Sequence, residues 1–254
     1  MNKKFEGKNA LVTGASRGIG AATAVALARQ GAARLLVHYG SYAPGAEQTV
    51  AAVRREGAQA EAVQANLGRI DGIHALIEVV KRSGVAFDIL VNNAGSLVQR
   101  ARLDEFTEDL YDEVMNLNVK SAWFLTQAVV PGMMARGGGA IVNVSSVAAR
   151  NGGGPGATIY AAAKAAVSCI TKGLAKELAP KGIRVNAVSP GTVDNHFHEQ
   201  FSNRQILDAV VAQTPAGKLG TNEEVADTIV FLCSHAARFI HGQTLEINGG
   251  MFMV

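Results

Sequence analysis

The run Lys8-Asn9-Ala10-Leu11-Val12-Thr13 passes directly into Gly14-Ala15-Ser16-Arg17-Gly18-Ile19-Gly20 and then into an Ala-rich amphipathic stretch ending near Gly31. A short apolar strand, a glycine turn and a helix in that order restrict the fold sharply. The glycines permit a tight turn and let a pyrophosphate approach the backbone. The helix beyond them offers free N–H groups and the positive end of its dipole to phosphate. The spacing is G-x-x-x-G-x-G. A glycine turn that binds nothing is the competing reading of this motif taken alone.

The remaining chain repeats the same alternation. Apolar runs predict strands near 8–13, 34–39, 59–65, 87–92, 139–145, 183–188 and 243–247. Helical patterns fill most gaps, at 18–30, 45–56, 69–83, 110–136, 158–179 and 222–235. Alternating β and α segments predict an α/β fold, a parallel sheet with helices on both faces. No repeat or low-complexity linker divides the 254 residues, so one domain spanning 1–254 is expected.

Three further features fall at predicted strand ends, where open α/β sheets bind ligands. Phe87-Asp88-Ile89-Leu90-Val91 runs into Asn92-Asn93-Ala94-Gly95, and Gly139 to Val144 runs into Ser145-Ser146. Tyr160-Ala-Ala-Ala-Lys164 follows on a predicted helix, where positions i and i+4 share a face. A free phenol has a pKa near ~10, and a cation beside it favours the phenolate. Moving it close to neutrality needs ~3 units, about 4 kcal/mol. That requires a partly dry site and a second positive charge, which an oxidised nicotinamide would supply. A serine hydroxyl nearby completes a proton-transfer site at a carbonyl or alcohol oxygen. The bland alternative is an ordinary residue pair on an Ala-rich helix.

Taken together, Thr13 to Gly20, Asn92-Asn93-Ala94-Gly95, Asn118, Ser146, Tyr160, Lys164 and Pro190-Gly191 resemble the short-chain dehydrogenase/reductase family in order and nearly in spacing. The tail, from Gly217-Lys218-Leu219-Gly220 to Asn248-Gly249-Gly250, is also similar. The likeness is greatest to the 3-oxoacyl-carrier-protein reductase branch. It implies a Rossmann-type doubly wound parallel seven-stranded sheet in the order 3-2-1-4-5-6-7. It implies catalytic roles for Asn118, Ser146, Tyr160 and Lys164. Ser146 would fix the reacting oxygen, Tyr160 would exchange its proton, Lys164 would lower the Tyr160 pKa and hold the nicotinamide ribose, and Asn118 would hold a relay water. Ser145 is the rival of Ser146, but its side chain is expected on the other side of the strand end. Cofactor contacts are implied for Gly14, Ser16, Arg17, Gly18, Ile19, Gly20, Ser41, Asn66, Leu67, Asn92, Ala94, Gly95, Tyr160, Lys164, Pro190, Gly191 and Val193. Gly191 to Gln213 would form a lid. Long helices rich in small apolar residues suit the dimers and tetramers of the family, and a homotetramer is expected.

The second strand ends in Val37-His38-Tyr39-Gly40-Ser41-Tyr42 with no acid. A carboxylate there would hold the NAD ribose and repel a 2′-phosphate. Its absence, with Arg17 and Ser41 at hand, points to NADP (NADPH), with NAD as the alternative. Two positions depart from the family pattern. Asn66 stands where relatives usually carry aspartate, and Asn195 stands where they commonly carry threonine. Leu97, Trp123, Phe197 and Phe201 are candidates to shape a substrate pocket. The expected substrate is a small carbonyl or alcohol, either a 3-oxoacyl compound or a sugar or polyol. A non-catalytic NADP-binding sensor or scaffold is the alternative from another class.

A net charge of +3 from dispersed residues gives no reason to expect nucleic acid, and Arg54-Arg55 and Lys81-Arg82 read as solvated helix faces. No apolar run of membrane-spanning length occurs, and Met1 to Gly7 lack the apolar core of a signal peptide, so the cytoplasm is the expected location. Cys169 and Cys233 lie in apolar helical stretches and are expected to be buried. Among the six histidines, only His196 and His198 are expected where substrate passes, and no zinc site is expected.

Overall fold

The computed structural model describes residues 3–253, apart from the Glu199 side chain; Met1, Asn2 and Val254, which the expected domain includes, lie outside the described residues. Among the described residues seven strands form one sheet: β1 (Asn9–Val12), β2 (Arg34–Tyr39), β3 (Gln59–Gln64), β4 (Ile89–Asn92), β5 (Gly139–Val144), β6 (Ile183–Pro190) and β7 (Thr244–Ile247). Their order is β3-β2-β1-β4-β5-β6-β7, and every neighbouring pair is parallel. Strand order reverses between β1 and β4, so their carboxyl ends open a crevice.

Helices cover both faces, as the alternation predicts. On one face Val12, Val37, Val91 and Val142 pack with Leu27 of α1 (Gly18–Arg29), Val53 of α2 (Ala43–Arg55) and Ile229 of α10 (Asn222–Cys233). On the other, Leu11, Leu36, Leu90 and Ile141 pack with Leu76 of α3 (Ile70–Arg82), Leu125 of α5 (Ser121–Ala135) and Leu174 of α7 (Thr158–Leu178). Adjacent strand residues therefore serve opposite cores, because strand side chains alternate in direction. Each fully buried Leu or Ile contributes ~1.5–3 kcal/mol relative to exposure.

The stretch 110–136 departs from the expected single helix. Thr107 caps α4 (Glu108–Met115) by accepting from the Leu110 N–H, and a π-helical turn over Asn116–Lys120 then joins α4 to α5. A 3.6-residue apolar period does not reveal such a bulge. The segment 191–213 also contains two helices the sequence reading left out, α8 (His196–Phe201) and α9 (Arg204–Gln213), each capped by an asparagine. A short helix α6 (Ala148–Asn151) follows Ser146.

At the amino ends of the strands, just before β4, Asp88 is almost wholly buried. It accepts from Lys8 Nζ at 3.0 Å, Arg136 Nε at 2.8 Å and the Asn9 N–H at 2.9 Å. These donors hold its carboxyl below the usual carboxylate range, Arg136 most strongly, against the opposing effect of burial. Cys233 is buried as expected, and burial pushes its thiol up to about 12. Cys169 is a correction: it is exposed, because the buried stripe of α7 runs through Val167, Ser168 and Thr171 and leaves position 169 outside. Among the described residues no helix is long and apolar enough to cross a membrane.

Candidate functional site

A cleft of about 700 Å³ runs along the carboxyl ends of the strands, from the β1–α1 turn to the segment after β6. Gly14, Ser16, Arg17, Gly18 and Ile19 line one end. Gly14 has φ +62°, a left-handed conformation that favours glycine. The first turn of α1 has no side-chain cap, since Arg17 at the N-cap is extended and its side chain makes no capping bond. Its N–H groups are thus open to an acceptor from the cleft. The Arg17 guanidinium lies over the Tyr42 ring, 4.9 Å from the centroid, with Ser41 exposed beside it. Asn66 and Leu67 line the same end, and Asn66 Oδ1 accepts from the Gly68 N–H at 3.0 Å.

The middle of the cleft is walled by Ala94, Gly95, Pro190, Gly191 and Val193. Val193 pairs with Gly220 in a parallel bridge that anchors the start of the lid segment. Asn195 spends its amide on structure: Oδ1 accepts from the Phe197 N–H and Nδ2 donates to Asn222 Oδ1, both at 3.1 Å.

Ser146, Tyr160 and Lys164 meet at the far wall. The Ser146 hydroxyl lies beside the Tyr160 phenol and acts to lower its pKa, and its Oγ accepts from the Ala148 N–H at 3.1 Å. Lys164 is buried; its Nζ donates to the Val144 carbonyl at 2.9 Å and lies 5.6 Å from the Tyr160 ring centroid. The protein's own groups do not favour ionisation of the phenol. Burial pushes it up to about 12, against the lowering effect of Ser146, and not down towards neutrality. Burial also lowers Lys164 to about 8, so the cation that would stabilise a phenolate is itself costly to hold. Deprotonating Tyr160 near neutral pH therefore needs the second positive charge.

Asn118 lies within the π turn and does not line the cleft directly. Its Nδ2 donates to Val114 O at 2.8 Å and Ser96 O at 2.9 Å, while its buried Oδ1 has no partner. A Cβ on Gly95 would sit 2.6 Å from Lys164 Nζ and 2.7 Å from Asn118 Oδ1. These two groups thus border the same small space behind Gly95, and the unpartnered amide oxygen is placed to take a proton donor there.

The structure relocates several expected residues. Asn92 faces away from the cleft, donating to Asn143 Oδ1 at 2.9 Å and Thr126 Oγ1 at 3.3 Å. It shares strand parity with Leu90, which faces α5, so the alternation itself carried this signal. The neighbouring Asn93 takes the cleft position, with Nδ2 on the carbonyls of Thr13 and Gly14 at 2.8 and 3.0 Å. Gly20 does not line the cleft either. A Cβ there would meet Gly14 O at 2.4 Å, so this glycine serves the approach of helix to turn. Ser145 points as expected to the other side, bonding Lys164 O and Ser168 Oγ, each at 2.8 Å. Leu97, Phe197 and Phe201 line the cleft, whereas Trp123 is exposed on the outer face of α5.

His38 is the residue that sequence reasoning missed, for the cleft holds it as well as His196 and His198. Buried at the end of β2, it accepts from the Gly14 N–H through Nδ1 at 3.1 Å and donates from Nε2 to Ala65 O at 3.0 Å. Burial lowers its pKa to about 4 despite the bond to Ala65, so the neutral ring ties together three strand ends beneath the glycine turn.

A glycine turn at an uncapped helix, joined by one cleft to a serine, a tyrosine and a buried lysine, is the site of a nicotinamide-dependent oxidoreductase. The family model described as enoyl-(acyl carrier protein) reductase matches residues 14–252. The 3-oxoacyl-(acyl-carrier-protein) reductase of Staphylococcus aureus strain Mu50 is 39% identical over 247 residues, covering 97% of this chain and 98% of the relative. A solved gluconate 5-dehydrogenase from Burkholderia cenocepacia J2315, in complex with NADP and tartrate, superposes with a TM-score of 0.87 at 34% identity, covering 98% of this chain and 97% of that one. A solved putative 2-deoxy-D-gluconate 3-dehydrogenase from Agrobacterium tumefaciens with bound NADP gives 0.88 at 38% identity, with 99% of each chain covered. The chain belongs to the short-chain dehydrogenase/reductase family, whose members are NAD(P)(H)-dependent oxidoreductases of carbonyl and alcohol groups.

Proposed function

We propose that this protein is an NADP(H)-dependent carbonyl reductase and secondary-alcohol dehydrogenase, with Ser146, Tyr160 and Lys164 as its catalytic residues and Asn118 at the head of its proton path. The convergence of Ser146, Tyr160 and buried Lys164 on one wall of the cleft carries this reading. Bound NADPH supplies the hydride. Ser146 hydrogen-bonds the substrate oxygen and fixes its position. Tyr160 gives its proton to that oxygen as the carbon gains the hydride, so one C–H and one O–H bond form as the carbonyl π bond breaks. Lys164 holds positive charge beside the phenolate left behind. Asn118 Oδ1, orphaned in the space behind Gly95, accepts from the group that returns the proton.

The NADP preference is supported by Arg17 and Ser41 at an end of the cleft whose second strand carries no acid, and by NADP in the two solved relatives. Arg17→Met is expected to weaken NADPH binding about tenfold, the ~1.4 kcal/mol of an exposed arginine–phosphate contact, while NADH affinity stays put. Titration followed by nicotinamide fluorescence checks this; an equal effect on both cofactors would remove Arg17 from the 2′-phosphate. The curated relative is named for 3-oxoacyl groups, whereas the two solved relatives are named for gluconates, and both are carbonyl or carbinol chemistry. Turnover of NADPH with a panel of ketones, 3-oxoacyl thioesters and oxo-sugars tests the enzyme reading. Tight NADPH binding without turnover of any of them would favour a sensor.

We read residues 1–254 as one domain acting as a homotetramer in the cytoplasm. Tyr111, Trp123, Phe124 and Met134 support assembly, because α4 and α5 leave these large apolar side chains partly exposed. Light scattering after size exclusion should give four chain masses. A monomer would overturn the assembly.

A further inference from the structure

Beyond the reacting end, the cleft carries a cation that the proposed chemistry does not use. Arg100 lines the cleft near its mouth, on the chain that follows β4. Its Nε donates to Phe201 O at 3.0 Å and its Nη1 to Pro155 O at 2.8 Å. Both acceptors are neutral carbonyls, and among the described residues no carboxylate pairs with Arg100. Those two bonds leave its charge without an ion-pair partner among the described residues, and they do not engage Nη2.

The backbone holds this arginine in place at some expense. Val98 has φ +62°, an outlier for a β-branched residue. The Gln99 N–H donates to Leu97 O at 2.7 Å across it, which makes Val98 the centre of a rare, strained γ-turn. The Val98 N–H is held in turn by Ser96 Oγ at 2.9 Å. Strain of this kind persists where the surroundings over-determine it, commonly at ligand sites.

His198 lines the same part of the cleft. Burial, then the nearby Arg100 charge, lowers its pKa to about 4 against the pull of Asp194, so it stays neutral and can donate one N–H. Aromatic contacts link this corner to the reacting end. The Phe197 ring lies 5.8 Å from that of Tyr160, and the His198 ring 5.0 Å from that of Phe197. Two ring contacts thus separate His198 from the phenol, and the Arg100 charge acts on His198 at the far end of that row.

We propose that Arg100, assisted by His198, forms a subsite for an anionic oxygen group of the substrate, several bonds removed from its reacting carbonyl. This rests on the carbonyl reductase reading and names the substrate class within it: an oxo or hydroxy acid with a distal carboxylate, or a thioester whose carrying arm bears a phosphate. Arginine suits either anion.

The test compares 4-oxopentanoate, 5-oxohexanoate and 6-oxoheptanoate with their methyl esters, in wild-type protein and in Arg100→Met and Arg100→Lys. A second arm compares a 3-oxobutyryl thioester of phosphopantetheine with the same thioester lacking phosphate. In wild-type protein kcat/KM should favour the charged member of at least one pair by tenfold or more. Arg100→Met should remove most of that preference, chiefly through KM, and Arg100→Lys should restore part of it. The arm that shows the preference identifies the anion. Independently of turnover, the preferred anion should raise the melting temperature of the NADP-bound wild type, and do so less in Arg100→Met. A lid clasp without ligand contact would depress each pair's members equally, and that result overturns the proposal. So does the absence of any charge preference, or of the melting shift, in the wild type. The reductase reading stands or falls separately, on NADPH turnover with any neutral ketone and its loss in Tyr160→Phe.

Discussion

Tyr160→Phe protein is expected to fold, to bind NADPH within about tenfold of wild type, and to reduce ketones ~10²–10⁴-fold more slowly, the usual worth of a positioned general acid. The loss should fall on kcat, because the phenol proton moves only as the oxygen gains charge. Nicotinamide absorbance at saturating NADPH measures it, and circular dichroism verifies the fold. A variant that kept a tenth of wild-type turnover would place the proton donor elsewhere. The sign of the pH dependence follows from the same groups. Reduction needs a protonated phenol and a charged Lys164. The phenol, pushed up to about 12, is protonated throughout the working range, whereas Lys164, lowered to about 8, loses its charge above that pH. Reductive kcat/KM should therefore be level below pH 8 and fall above it. Alcohol oxidation needs the phenolate and should rise with pH instead. A reductive rate that climbed between pH 7 and 9 would contradict both assignments.

The second large effect belongs to a residue with no side chain. Gly95→Ala adds a methyl within 2.7 Å of both Lys164 Nζ and Asn118 Oδ1. The φ of Gly95 is not among the positive ones, so alanine brings no backbone strain there. The end of the lysine side chain can move aside, and the fold should survive. Its charge would then leave its place beside Tyr160, and misplacement of about 1 Å at a catalytic group costs ~10²-fold. The expected variant keeps a melting temperature within a few degrees of wild type and loses about two orders of magnitude in kcat. Full activity would show that the space behind Gly95 has no part in the proton path.

Strand positions were readable because each apolar run is short and bounded, and β2 falls on 34–39 as the pattern predicts. The glycine turn, Ser146, Tyr160 and Lys164 were legible for a different reason: each lies at a strand end or shares one helix face. What escaped the sequence reading depends on contacts remote in the chain. The π turn at Asn118 is held by a hydrogen bond from the Asn118 Nδ2 to the Ser96 carbonyl, which no helical period encodes. His38 looks like any polar residue closing a strand until Gly14 and Ala65 are brought to its two nitrogens. Asn92 and Asn93 were separable in principle, since strand parity from Leu90 assigns the first to the α5 side. The direction of the Tyr160 shift was not, because it depends on how completely the fold encloses the phenol.

The cluster of Lys8, Arg136 and Asn9 around Asp88 fastens the central strands at their amino ends, away from the cleft. The pieces proposed to meet a substrate, the chain after β4 and the segment from Gly191 to Gln213, follow the carboxyl ends of the strands. The two jobs thus have separate addresses in the molecule. A library that randomises or transplants residues 196–213 should yield mostly folded, nucleotide-competent proteins with altered substrate range. This architecture lends itself to new specificities by exchange of its rim, with the Asp88 cluster as the part to leave untouched.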